Sequence, residues 1–118
     1  MDIGGIILSI TYSVYIIKHN YGYSQDIRPC ILLDFDDDKA RIALISSALD
    51  LYNPHKHFII KKENPNFPLT GLKKTSYVSI DQIFNVKKND LVKQIGILEE
   101  PASKELSSWI YSFSISLS

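Results

Sequence analysis

Residues 29–46 read PCILLDFDDDKARIALIS, two apolar runs on either side of a block of aspartates. Pro29 to Phe35, apolar throughout except for Asp34, predicts a buried strand. Asp36, Asp37, Asp38 and Lys39 predict a tight acidic turn, and Ala40 to Ser46 the return strand of a hairpin. The same grammar extends outward. Upstream, Gly5 to Ser9 and Thr11 to Ile17 read as strand material, with Asn20 to Asp26 as a loop. Downstream, His57 to Lys62 reads as a strand after the polar Asn53-Pro54-His55, while Pro65 and Pro68 keep Glu63 to Pro68 out of any sheet interior. Tyr77 to Ile83 and Val92 to Leu98 are further strands, separated by the turn Lys87-Lys88-Asn89-Asp90. Only the end is helical in pattern. Glu99, Glu100 and Pro101 suit a helix start, and Leu106, Trp109, Ile110 and Phe113 recur at helical spacing. From Ser112 to Ser118 serine alternates with apolar residues, so an extended or frayed tail is expected there.

Composition bounds the rest. A chain of 118 residues with 45% hydrophobic content suits one domain, residues 1–118, with a single core. Thirteen basic residues balance thirteen acidic ones, which excludes a wholesale basic nucleic-acid binder. The balance is local, however. Residues 1–38 carry Lys18 and Arg28 against six aspartates, a charge of −4, and residues 39–118 carry eleven bases against seven acids, a charge of +4. Cys30 is the lone cysteine, so no internal disulfide forms, and a reducing, cytoplasmic setting is expected. The uncharged run Ile3 to Ile17 has 15 residues and includes Ser9, Thr11, Tyr12 and Ser13, short of the roughly 20 apolar residues that span a bilayer. No membrane association is expected.

Motifs for phosphate loops, paired Cys-x-x-Cys ligands, zinc proteases and serine hydrolases are absent. His55 and His57, with His19 elsewhere, lack a supporting carboxylate and read as surface histidines, and Asp34 to Asp38 lacks the spacing of a calcium loop. Neither a metal nor a cofactor is expected. Cys30 reads as a buried strand residue rather than a nucleophile.

A set of short blocks occurs in a recognisable order: Gly4-Gly5-Ile6-Ile7-Leu8, Arg28-Pro29-Cys30-Ile31-Leu32-Leu33, Ile45-Ser46-Ser47, Gly71 to Gln82, and Ile95-Gly96-Ile97-Leu98. In this order they resemble the PemK/MazF-like toxins, the small endoribonucleases (mRNA interferases) of type II toxin–antitoxin systems, from about residue 4 to about 113. The resemblance implies a mainly β fold, an SH3-like small β-barrel of about five to seven strands with a C-terminal α-helix. It also implies a homodimer that cleaves single-stranded RNA without metal and is blocked by an acidic, partly disordered antitoxin protein. Arg28, Ser46 and Ser47 match the family's active-site arginine and hydroxyl positions, with serine for the usual threonine at 46. Asp81 and Gln82 match an Arg-x-Asp-Gln block of the PemK branch, but Ser79 stands at its arginine position. His19 lies in the first long loop, where a histidine assists RNA contact, and Tyr21 and Tyr23 beside it are candidates to stack on bases.

The residue types suit the chemistry. Metal-free RNA cleavage uses the ribose 2′-OH as nucleophile, so a site must take one proton, give one to the leaving 5′-oxygen and stabilise charge on phosphorus. Arginine binds two phosphate oxygens with a fork that stays charged. Serine hydroxyls can hold the phosphate, and Asp81 or His19 can act as base. Plainer roles fit the same residues: Arg28 as a partner of Asp26, Ser46 and Ser47 as turn caps, Asp81 as a solvated strand residue. A non-catalytic SH3-like module binding RNA or an antitoxin peptide is the alternative expectation, since the missing arginine at Ser79 weakens the catalytic set.

Overall fold

The computed structural model describes residues 10–21 and 24–116, and only the backbone of 19–21, 24–26 and 114–116. The block Gly4 to Leu8, the strand expected over Gly5 to Ser9 and Tyr23 lie outside the described residues. Six strands form one antiparallel sheet: β1 (Tyr12–Tyr21), β2 (Ser24–Asp36), β3 (Lys39–Ser46), β4 (His57–Ile60), β5 (Ser76–Lys87) and β6 (Leu91–Leu98). Their order is β4-β5-β3-β2-β1-β6, and helix α1 (Ala102–Ser116) follows.

The connections force this sheet to curl. Three strands separate β5 from β6, about 19 Å in a flat sheet with about 4.8 Å between strands. Yet the link between them is the single 3-10 turn Lys88–Asp90, which rises only about 2 Å per residue. Lys87 pairs with Lys39 of β3, and Leu91 pairs with Ile17 of β1, so the ends of β1 and β3 must approach each other. The chain is therefore the expected mainly β, barrel-like fold with a C-terminal helix.

Curling buries β2 and β3 on both faces, which explains their unbroken apolar runs. Val14, Ile31, Ala43, Ile45, Val78 and Ile80 point to one core, which Phe58 and Leu106 complete. Cys30, Ala40, Ile42 and Val86 fill a second core on the opposite face. Helix α1 closes the first core with Ala102, Leu106 and, partly buried, Ile110 and Phe113. The hairpin at the centre forms as expected, with Asp37 taking a left-handed φ of 52° that aspartate tolerates in a tight turn.

Three expectations need correction. Asn20 to Asp26 is not simply a loop: β1 and β2 pair through His19↔Asp26 and Asn20↔Gln25 to Tyr21↔Ser24. The sequence of these arms is mostly polar, so no apolar pattern announces the pairing. The alternating tail does not become extended, because α1 runs on to Ser116 after Ile110 and Phe113 anchor it on the core. Finally, β5 continues past Ile83 to Lys87.

Among the described residues, no helix is long and apolar enough to cross a membrane.

Candidate active site

Strand alternation sorts the site residues by face. Cys30 pairs with Leu44, and both pack on the second core, while Ile31, Ala43 and Ile45 point the other way. Two residues before Cys30 stands Arg28, and two after Leu44 stands Ser46, which places both on the Cys30–Leu44 face. Ser46 pairs with Tyr77 across the β3–β5 ladder, and His57 of β4 pairs with Ser79. Val78 and Ile80 turn into the first core. Tyr77, Ser79 and Asp81 alternate with them, and so share a face with Ser46. The β3–β5 register breaks between Ala43 and Ile45, where two steps along β3 face five along β5 (Val78 to Ile83). This bulge draws Asp81 back towards the Ser46 end of the strand.

Arg28, Ser46 and Ser47 line a single open cavity of about 500 Å³. Gly71, Lys73 and Lys74 form its other wall, and Ile16, Ile27, Leu72 and Ile95 give it apolar surface. No aspartate or glutamate is among its described lining residues, so three cations face the hydroxyl residues Ser46, Ser47 and Ser76. Such a cavity suits an anion carried on a partly apolar body, as a nucleotide phosphate is. Ser46 does cap a turn, since its Oγ accepts the Ala48 N–H at 3.1 Å, but its hydroxyl hydrogen remains to be donated.

The second wall depends on two glycines. Gly71 has φ 75°, the left-handed region that β-carbon sterics deny to most residues, and it sits against the backbone of Ile95. Gly96 in turn sits against the carbonyl groups of Leu69 and Thr70. Thr70 locks the 3-10 turn Phe67–Thr70, donating from Oγ1 to the Phe67 carbonyl at 2.7 Å and accepting the Leu72 N–H at 3.1 Å. The lysines are thereby held over β6, beside the end of β3.

Asp81 does not line this cavity, and it is not the solvated residue its alternation suggests. It is half-buried, its Oδ1 is shielded from water without a hydrogen bond, and that oxygen lies 3.8 Å from His57 Nε2. His57, expected at the surface, has a side chain only 13% exposed. Its ring stacks on Tyr77 with centroids 4.3 Å apart, and Tyr52 adds a third ring 6.2 Å from it. Gln82 is exposed and does not line the cavity. His19 and Tyr21 are placed in β1 by their backbone, but their side chains, like all of Tyr23, lie outside the described residues.

Among the described residues no group of three His, Cys, Asp or Glu side chains gathers as a metal site. Cys30 is buried, and desolvation pushes its thiol up to about 12 despite an opposing backbone hydrogen bond at Tyr15. It is a core residue.

In sequence, Lys73 and Lys74 carry no site role within the block Gly71 to Gln82, and His57 reads as a surface histidine. The lysine pair directly follows a turn glycine, a signal for a cationic loop. Nothing local marks His57, whose surroundings come from three separate segments.

No protein-family model matches the chain, and no curated protein matches it in sequence. Solved structures do match. The Mycobacterium tuberculosis toxin MazF-mt6 superposes with a TM-score of 0.65 at 19% identity, covering 85% of this chain and 93% of the toxin. An endoribonuclease in complex with its cognate antitoxin, from a mycobacterial species, gives a TM-score of 0.61 at 15% identity, covering 90% of this chain and 93% of its own. The fold is that of the MazF/PemK-like toxins.

Proposed function

We propose that this chain is the toxin of a type II toxin–antitoxin pair, a metal-independent endoribonuclease that cuts single-stranded RNA. The observation that carries the proposal is the meeting of Arg28, Ser46 and Ser47 around one cationic cavity on a toxin-like fold. Arg28 grips two oxygens of the scissile phosphate and stabilises the charge that builds on phosphorus. Ser46 and Ser47 orient the phosphate with hydroxyl donors, while Lys73 and Lys74 steer the strand in. Asp81, on the same sheet face, takes the proton of the 2′-OH. Attack of that oxygen on phosphorus expels the 5′-oxygen, which takes a proton from solvent water in the open cavity beside Arg28, whose guanidinium stabilises the charge without giving up its own proton. The products are a 2′,3′-cyclic phosphate and a 5′-hydroxyl end.

His19, Tyr21 and Tyr23 of the first hairpin contact flanking nucleotides, and Gln82 has only a peripheral share. An acidic, partly disordered antitoxin segment competes for the same cations. The toxin acts as a cytoplasmic homodimer, a state that light scattering reads directly.

The test is incubation of mixed-sequence RNA with the protein in excess chelator. Cleavage that leaves 5′-hydroxyl ends is expected, and Arg28→Ala should slow it by about 100-fold or more. Intact RNA under all conditions would leave a binding module in place of the enzyme.

A further inference from the structure

We propose that His57 is a positioning residue for Asp81, holding its carboxylate so that one oxygen faces inward and the other meets the RNA. The inference rests on Asp81 being the base of the proposed reaction.

The imidazole is fixed from three sides. Its Nδ1 accepts the backbone N–H of Asn53 at 2.9 Å. A ring nitrogen that accepts is unprotonated, so the neutral ring carries its proton on Nε2. Tyr77 stacks against one face of the ring at an interplanar angle of 21°, and Tyr52 tilts towards it at 36°. Nε2–H then has one described carboxylate beside it, Oδ1 of Asp81 at 3.8 Å.

Asp81 supplies the complementary half. Oδ1 is shielded from solvent and has no hydrogen-bond donor, a costly state for a carboxylate oxygen. The side chain nevertheless remains 22% exposed, and with Oδ1 covered that exposure falls on its other atoms, Oδ2 included. A contact of 3.8 Å exceeds a hydrogen bond, as is common in catalytic pairs before substrate binds. RNA over Oδ2 presses the carboxylate towards His57 and closes the gap. His57 reaches this place because β4 pairs it with Ser79, two residues from Asp81 on β5, where no side-chain charge competes.

The test compares single-turnover cleavage and RNA binding for wild type, Asp81→Asn, His57→Phe and His57→Gln, each checked for folding by thermal melting. Phenylalanine keeps the stack on Tyr77 but removes the donor; glutamine restores a donor without an imidazole. The expected result is a loss of about 100-fold for Asp81→Asn, a loss of about 10-fold in the single-turnover rate at unchanged RNA affinity for His57→Phe, and recovery to within about threefold of wild type for His57→Gln. Wild-type cleavage by Asp81→Asn would overturn the assignment of the base, and the role of His57 with it. Loss in Asp81→Asn with wild-type cleavage by His57→Phe would overturn the positioning role alone. Equal losses in both His57 variants would also overturn it, because donation to Oδ1 would then not be what matters. Should either variant fail to fold, the same comparison with His57→Asn decides on the same criteria.

Discussion

Gly96 of β6 lies against the carbonyl of Thr70 with no room between them for a methyl group. This backbone-to-backbone contact fastens the segment between β4 and β5 to the opposite edge of the sheet, and so sets the wall that carries Lys73 and Lys74. Gly96→Ala should therefore lower stability by about 1–3 kcal/mol, read by urea or thermal denaturation. It should also weaken RNA binding in the folded fraction. Wild-type stability would mean that the two segments separate without cost.

In the proposed function Lys73 and Lys74 act as charges rather than as shaped contacts. Replacing both with alanine should make the slope of log affinity against log salt shallower by about 0.7 per lysine for a single-stranded RNA, with the cleavage products unchanged. An unaltered slope would place the RNA elsewhere.

In the proposed reaction Arg28 acts through its shape as well as its charge. Arg28→Lys keeps the charge but loses the planar fork, so its cleavage rate should stay within about tenfold of Arg28→Ala rather than approach wild type. Rapid quench assays on one defined RNA separate the two outcomes.

The Cys30 thiol gives a pH dependence with a definite sign. Its folded value is raised from 9.0 to about 12, so above pH 9 the unfolded state has lost a proton that the folded state still holds. The stability this group contributes is intact below pH 9 and falls as pH rises towards 12, by at most about 1.4 kcal/mol per pH unit. Native protein at pH 8 should resist alkylation by iodoacetamide, and denatured protein should react at once. Rapid modification of the native state would contradict the burial of Cys30.

The central hairpin was legible because both strands are buried on both faces, and the continuous runs Cys30 to Leu33 and Ile42 to Ile45 record that directly. The pairing of the β1–β2 arms at residues 19–21 with 24–26 was not, since the sequence there is mostly polar and backbone pairing leaves no apolar trace. Arg28, Ser46 and Ser47 were legible as types and positions, and the ladder brings them together. Asp81 was legible as a candidate base, while its alternation in β5 suggested a solvated residue and gave no sign of its shielded oxygen. The register break opposite Leu44 and the arrival of His57 from β4 are long-range events that no local pattern encodes.

The proposed shared grip of Arg28 and Ser46 on one phosphodiester is tested most directly by a double-mutant cycle on the cleavage rate. Arg28→Ala, Ser46→Ala and the combined variant should show a strongly non-additive pattern, with the double variant little slower than Arg28→Ala alone. Losses that multiply independently, or an Arg28→Ala variant that cleaves like wild type, would contradict the account.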